Sequence, residues 1–542
     1  MATRQLTAAI IAVLMSWQSA ESLRLNPTRA TATGADRATA TGADSKSPAR
    51  AAGERPPIYC NRAVNLGRME ATGFDMDHTL AQYKAAPFDA LAYNGAIAKL
   101  VELGYPQEIL AFRSDITRYQ RGLVIDRARG NILKMDRHKY VKVAHHGLSE
   151  MGAEERKELY DRQRPSFNPP DFANIDTAFL LVDVCLYCQL VDLKDASPEL
   201  LPHRSYAQLY SDVRRAVDLC HCDGVIKDPV MADPAKYIDA DPEMAGMLDR
   251  IRSAGQRPFL VTNSAWEYTE AVMSFLLGAD AAAFGHADWT GFFDVIIVGA
   301  RKPAFLLDAN LPIFRVRPDG ALLNLENAEF SSPASVTKVL AAGKIFQGGT
   351  YNHLHKLVGL SSFDRLLYVG DHMYSDVLRA KRTLGWRTML VVPELEQESA
   401  INFENPQLRE AIADARDELL ELEEELAQLE LMQQEAATHA GGGRGGERLS
   451  TGEAVEQQAV LGAALGAKKL ELAEHVLAYH RKFHPAWGQL FKTGYQNSRF
   501  AQQVEDYACL YAARASHLAF YSPRTRFHTI VDVMPHDRNE RA

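Results

Sequence analysis

No apolar run in this chain approaches the roughly 18 residues needed to cross a bilayer, so no transmembrane span is expected. Nor is there an excess of positive charge. Lys and Arg number 60 against 69 Asp and Glu, a formal charge of −9. That balance argues against non-specific binding to nucleic-acid polymers or acidic membranes. An anionic substrate must then meet local cations or a bound metal. Cysteine is scarce too. The six residues are Cys60, Cys185, Cys188, Cys220, Cys222 and Cys509, and they give no disulfide framework. "CLYC" and "CHC", the second enclosing His221, offer ligand types that suit zinc. However, "CLYC" lies inside "AFLLVDVCLYCQLVDL", which reads as a buried helix where free cysteine packs as a small hydrophobe. Core packing is the expectation there.

What is present is globular. With 46% hydrophobic and 24% charged residues over 542 positions, two or three domains are expected. Residues 1–56 do not read as one of them. "MATRQLTAAIIAVLMSW" has an early arginine, a short apolar run and then small residues, the layout of a secretory-type leader. An octapeptide, "RATATGAD", follows at 29–36 and repeats at 37–44 in a stretch too poor in large hydrophobes to fold. The combination resembles an organelle-targeting presequence (plastid or mitochondrion) or a secretory one. The alternative is a tail on a cytoplasmic protein.

Ordered chain is expected from 57, with a first core piece over 57–84 containing the short strand of "MEATGFD". Residues 85–250 read as a largely helical segment. Over 251–404, apolar runs such as "RPFLVTN", "FFDVIIVGA", "RLLYVGD" and "RTMLVVPEL" alternate with amphipathic helices, the pattern of a parallel sheet covered on both faces. Leu408, Ile412, Ala415, Leu419, Leu422, Leu426 and Leu429 then fall at spacings of four and three, a heptad seam. "GGGRGG" at 441–446 interrupts it, so 405–485 is expected to form a helical hairpin, with 486–542 packing on the core. The hairpin is read as a packing arm; the alternative is a dimerising coiled coil and hence a homo-oligomer.

"GFDMDHTLAQY" sets Asp75 and Asp77 two residues apart, where an extended backbone points both side chains the same way. Like charges so close are favourable only if a cation or special chemistry rewards them. Strand ends of a parallel sheet converge on one crevice. "FLVTN" brings Thr262 and Asn263 there, followed by Ser264; "GARKP" brings Lys302; "YVGDHMYSD" brings Asp371 and Asp376. Singly, each reads as a helix cap or surface pair.

Together, in this order, they resemble the four motifs of the haloacid dehalogenase superfamily. The resemblance implies an α/β fold with a Rossmann-like parallel-sheet core, a cap inserted between the first two motifs and a C-terminal helical extension. It implies Asp75 as the nucleophile that forms an aspartyl-phosphate and Asp77 as general acid and base. Mg²⁺ would be held by Asp75, the Asp77 carbonyl and Asp371, with Asp376 in support. Thr262, Asn263 and Ser264 would bind the phosphoryl group, and Lys302 would offset its charge. Longer phrases, "TNSAWEYT", "YVGDHMYSDVLRAKRTLGWRTMLVVPELEQE" and "WGQLFKTG" among them, resemble the cytosolic purine 5′-nucleotidase and 5′-nucleotidase domain-containing family. By that likeness "DVRRAVDLCHCDGVIKD" carries nucleotide-binding roles to Arg214, Asp218, His221 and Lys227. Cys222 stands where the purine enzyme has an aromatic residue, and "KVAHHGLSEMG" offers no ring for stacking a base. The expected activity is hydrolysis of a nucleoside 5′-monophosphate. The alternatives are a phosphatase for another small phosphate ester, or a scaffold that retains the site.

Overall fold

The computed structural model describes residues 55–163, 165–438 and 451–529. The leader, the octapeptide repeat and the Gly-rich 441–446 lie outside the described residues. No described helix is long and apolar enough to cross a membrane.

The core is a ten-stranded sheet. Its order is Tyr59–Cys60, Leu510–Ala512, Arg387–Val391, Leu366–Gly370, Ala71–Phe74, Arg257–Val261, Val295–Val298, Ile345–Gly348, Ile313–Val316 and Leu322–Leu325. The seven strands from Leu510–Ala512 to Ile345–Gly348 run parallel, with antiparallel strands at both edges. Residues alternate between two cores. Phe259, Val295, Ile297 and Tyr368 pack on one face, and Leu260, Ile296, Val298 and Val369 on the other. Burial on both sides is why these segments are apolar at nearly every position. The fold class read from sequence is the one observed.

The chain leaves this core through the strand Gln82–Tyr83 and returns through Ile238–Asp239. These two connections pair antiparallel, with Tyr83 opposite Ile238. The inserted cap carries the helices Ala85–Glu102, Leu181–Ala196 and Tyr206–Cys222. Cys185 and Cys188 are buried in the second of these, as "CLYC" suggested. The cap also holds a five-stranded antiparallel sheet that the helical reading did not anticipate: Ser149–Glu150, Val141–His146, Asn131–Met135, Val124–Asp126 and Phe172–Asn174, in that order. Val124–Asp126 and Asn131–Met135 are buried at every position, so neither shows the period-two alternation that marks a strand.

Past the core, helices Pro406–Thr438 and Thr451–Phe483 pack antiparallel, bridged by Lys468–Glu418 at 2.5 Å and Lys469–Glu423 at 3.0 Å. Ala415 and Leu429 of the heptad seam are buried against the partner helix. The chain then re-enters the core sheet as Leu510–Ala512 beside Arg387–Val391.

Candidate active site

Four adjacent parallel strands deliver the motif residues to one edge. Asp75 follows Ala71–Phe74, Thr262 to Ser264 follow Arg257–Val261, Lys302 lies just beyond Val295–Val298, and Asp371 follows Leu366–Gly370. The turns are tight. His78 and Arg301, beside Asp77 and Lys302, take left-handed backbone conformations with φ of 53° and 60°. Such geometry is uncommon outside glycine and gathers at functional sites. Gly370 must lack a side chain, since a Cβ there would lie 2.6 Å from the Cβ of Asp376.

Lys302 sits at the centre, with its ammonium 2.9 Å from Asp75 Oδ2 and 2.8 Å from Asp376 Oδ1. It also donates to the Tyr368 hydroxyl at 3.0 Å, and that hydroxyl donates to the Val261 carbonyl at 3.0 Å. Asp376 is fully buried and its second oxygen accepts from the His372 N–H. Asp371 Oδ2 accepts from the Thr177 hydroxyl at 2.9 Å. Burial pushes the Asp75 carboxyl well up; Lys302 opposes this, while Asp376, Asp371 and Asp77 add to it. Burial works against the Lys302 charge, but Asp376 and Asp75 outweigh it and hold the amine protonated.

Oxygens of Asp75, Asp371 and Asp376 all lie within 4.8 Å of one another, as a metal site requires. The donor set is hard oxygen, which suits Mg²⁺ or Ca²⁺ rather than a thiolate-seeking metal. Three buried carboxylates against one lysine leave two negative charges when all are ionised. A second buried cation, Arg121, is committed to Glu394 through bonds of 2.8 and 2.5 Å, and it donates to the Asp371 carbonyl at 3.2 Å. The residues present therefore fit a divalent cation.

Asp77 is held differently. Tyr83 donates its phenol to Asp77 Oδ1 at 2.6 Å, and Ser264 donates its hydroxyl to Oδ2 at 2.9 Å. Thr262 approaches the same Oδ2 at 3.5 Å. Asn263 turns away: its amide exchanges hydrogen bonds with the Lys302 backbone, at 2.6 Å to the N–H and 3.1 Å to the carbonyl. It braces the lysine turn, which differs from the phosphoryl contact expected of it.

The cap residues divide. His221 meets the Phe179 ring edge-on at 5.2 Å, and Phe179 meets His78 at 4.3 Å. Burial, with Arg214 adding to it, lowers His221 to about 4, so its imidazole is neutral near pH 7. Lys227 lies over the Tyr268 ring at 5.2 Å, and the Tyr268 hydroxyl is 2.9 Å from that of Tyr83. Arg214 instead pairs with Asp183 at 2.7 Å and with Asp218. Arg214 and Asp218 line a cavity of about 420 Å³ that none of the core motif residues borders. The stretch "KVAHHGLSEMG" goes elsewhere, with His145 packed on Trp487 at 4.5 Å. Phe179, Tyr83, Tyr268, Tyr368, Thr177, Arg121 and Glu394 all escaped the sequence reading, although Tyr83, Tyr268, Tyr368 and Glu394 lie inside motif phrases already quoted.

Fold and site together define a phosphoric monoester hydrolase. A model of the 5′-nucleotidase family matches residues 58–539, and the chain belongs to that family. It is 26% identical over 490 residues to a 5′-nucleotidase domain-containing protein of Dictyostelium discoideum, covering 89% of this chain and 74% of that one. It is 28% identical over 478 residues to the human 5′-nucleotidase domain-containing protein 2, covering 86% and 82%. Among solved structures, a predicted phosphoglycolate phosphatase from Haemophilus somnus shares 13% identity at a TM-score of 0.25, covering 60% of this chain and 86% of that one. CbbY from Rhodobacter sphaeroides shares 16% at 0.22 with the same coverage, and both likenesses are too slight to bear on function.

Proposed function

We propose that the chain is a Mg²⁺-dependent phosphatase that hydrolyses nucleoside 5′-monophosphates through a phosphorylated Asp75. The observation that carries this reading is the meeting of Asp75, Asp371, Asp376 and Lys302 beside a separately held Asp77. Asp75 attacks phosphorus while the bond to the nucleoside 5′-oxygen breaks, which splits one difficult displacement into two easier ones. Asp77 gives its proton to the departing oxygen. It then takes one from the water that releases phosphate from Asp75. Lys302, Thr262 and Ser264 meet the phosphoryl oxygens, while Asn263 keeps the Lys302 turn in place. Mg²⁺, held by Asp75, Asp371 and the Asp77 carbonyl with Asp376 behind them, would supply positive charge opposite those same oxygens.

Phe179 meets both His221 of the cap and His78 beside Asp77, so in this reading a base would meet these rings. That supports a nucleotide over a small ester. Lys227 stands on the same side. Arg214 and Asp218 lie seven and three residues before His221 on the same helix, paired with each other and lining the neighbouring cavity. The test is a panel of phosphate monoesters offered with Mg²⁺ to the purified chain and to Asp75→Asn. Nucleoside 5′-monophosphates should be hydrolysed, and Asp75→Asn should lose turnover while keeping its fold by circular dichroism. A variant retaining a tenth of the rate would remove the aspartyl-phosphate. Turnover confined to non-nucleotide esters would move the reading to another phosphatase.

A further inference from the structure

Tyr83 stands where three parts of the molecule meet. It belongs to the strand Gln82–Tyr83, one of the two connections to the cap, and pairs with Ile238 of the other. Its ring is buried at 9% exposure, and its hydroxyl lies 2.6 Å from Asp77 Oδ1 and 2.9 Å from the Tyr268 hydroxyl. Tyr268 comes from the core helix Trp266–Ala281 and carries the cap residue Lys227 over its ring. The two oxygens of Asp77 thus have different company. Oδ1 faces the connection to the cap, whereas Oδ2 faces Ser264 and Thr262, where the phosphoryl group is read to bind.

We propose that Tyr83 is a positioning residue for the acid–base chemistry of Asp77, anchoring Oδ1 so that Oδ2 alone exchanges protons with the leaving oxygen and the incoming water. This rests on the phosphatase reading above and adds a residue to it. In the first step the proton passes from Oδ2 to the nucleoside 5′-oxygen as the P–O bond breaks and the Asp75–phosphorus bond forms. In the second, Oδ2 takes a proton from water as the water oxygen bonds to phosphorus and the Asp75 bond is released. Atoms and charge balance in both steps, and Tyr83 keeps its own proton throughout. Without the phenol, the Asp77 carboxyl is held only from the Oδ2 side, by Ser264, and more of its orientations fail to place a proton on the leaving oxygen. Because the anchor sits on the strand that leads into the cap, the alignment of Asp77 depends on how the cap connections are seated.

The dependence on leaving group separates this role from simple support. A nucleoside 5′-oxygen is a poor leaving group and needs the acid; p-nitrophenolate leaves without one. Tyr83→Phe should therefore lower kcat/KM for IMP by about tenfold to a hundredfold, the usual range for a hydrogen bond to a charged group. The same variant should change kcat/KM for p-nitrophenyl phosphate by less than about threefold, since that quantity covers only the steps through phosphoryl transfer. Tyr268→Phe, which removes only the backing hydroxyl, should act in the same direction with a smaller loss. It keeps the test open if Tyr83→Phe folds poorly. In an Asp77→Asn background, Tyr83→Phe should add no further loss on IMP. Equal losses on both esters, or full additivity with Asp77→Asn, would overturn the proposal while leaving the phosphatase reading intact. No turnover of either ester by the unaltered chain would remove both.

Discussion

Lys302 has three protons and three acceptors, Asp75, Asp376 and Tyr368, so this buried cation is held on every side. That arrangement fixes the position of its ammonium without a substrate. On the proposed reading, the nucleoside would meet the rings of Phe179 and His221. Phe179→Ala is expected to raise KM for IMP by about tenfold, since stacking on an aromatic ring is worth roughly 1–3 kcal/mol per base. KM for p-nitrophenyl phosphate, which has no base to reach the ring, should stay within about twofold. Steady-state kinetics on the two esters checks this, and equal changes would make Phe179 a packing residue. The motif aspartates and Lys302 were legible because each sits next to an apolar strand in a fixed order. Phe179 was not, because it begins "FLLVDVC", where a phenylalanine reads as one more core residue and nothing local says that its ring faces a histidine 42 positions on.

The cap and core are joined by more than two strands. Arg121, buried at 2% exposure on the cap side, forms a paired contact with Glu394, which opens the helix Glu394–Glu404 after the core strand Arg387–Val391. Thr177 of the cap adds its bond to Asp371. Removing one partner of a buried ion pair leaves the other uncompensated, at a cost near 3–5 kcal/mol. Because Glu394 is itself 34% exposed, the lower end applies. Glu394→Ala should then lose about 3 kcal/mol of stability in urea unfolding, and Glu394→Gln, which still offers an acceptor, clearly less. Equal stability in all three proteins would mean that water already compensates Arg121. Pairing of this kind is invisible in sequence, since Arg121 and Glu394 lie 273 positions apart. The parallel strands, by contrast, announced themselves as apolar runs between helices. The cap sheet did not, because a strand such as "NILKM" buries an asparagine and a lysine among its apolar residues and shows neither periodicity.

At the scale of the whole molecule, the formal charge of −9 and the crowding at the strand ends bear on the same question. Folding gathers Asp75, Asp371 and Asp376 out of water with Lys302 as the direct counter-ion of Asp75 and Asp376, and burial drives Asp75 and Asp371 upward from the usual aspartate range. Such a site opposes the fold that builds it unless more positive charge arrives. The acid that the opening motif adds in Asp77 is kept apart by Tyr83 and Ser264, so the cost falls on the three carboxylates and on the metal they would share. A cation that binds the folded chain and not the unfolded one stabilises it by RT ln(1 + [L]/Kd), about 2.7 kcal/mol at a hundred times Kd. Adding Mg²⁺ should therefore raise the melting temperature of chelator-treated protein in a saturable way, and chelation should reverse the rise. Asp371→Asn should melt higher than the unaltered chain without metal, because one repelling charge is gone, and should gain much less from Mg²⁺. Scanning calorimetry across a Mg²⁺ series on both proteins reads the two effects at once. A rise of equal size in Asp371→Asn would assign the metal to some other part of the surface, and the three carboxylates would then need another account of why they stand together.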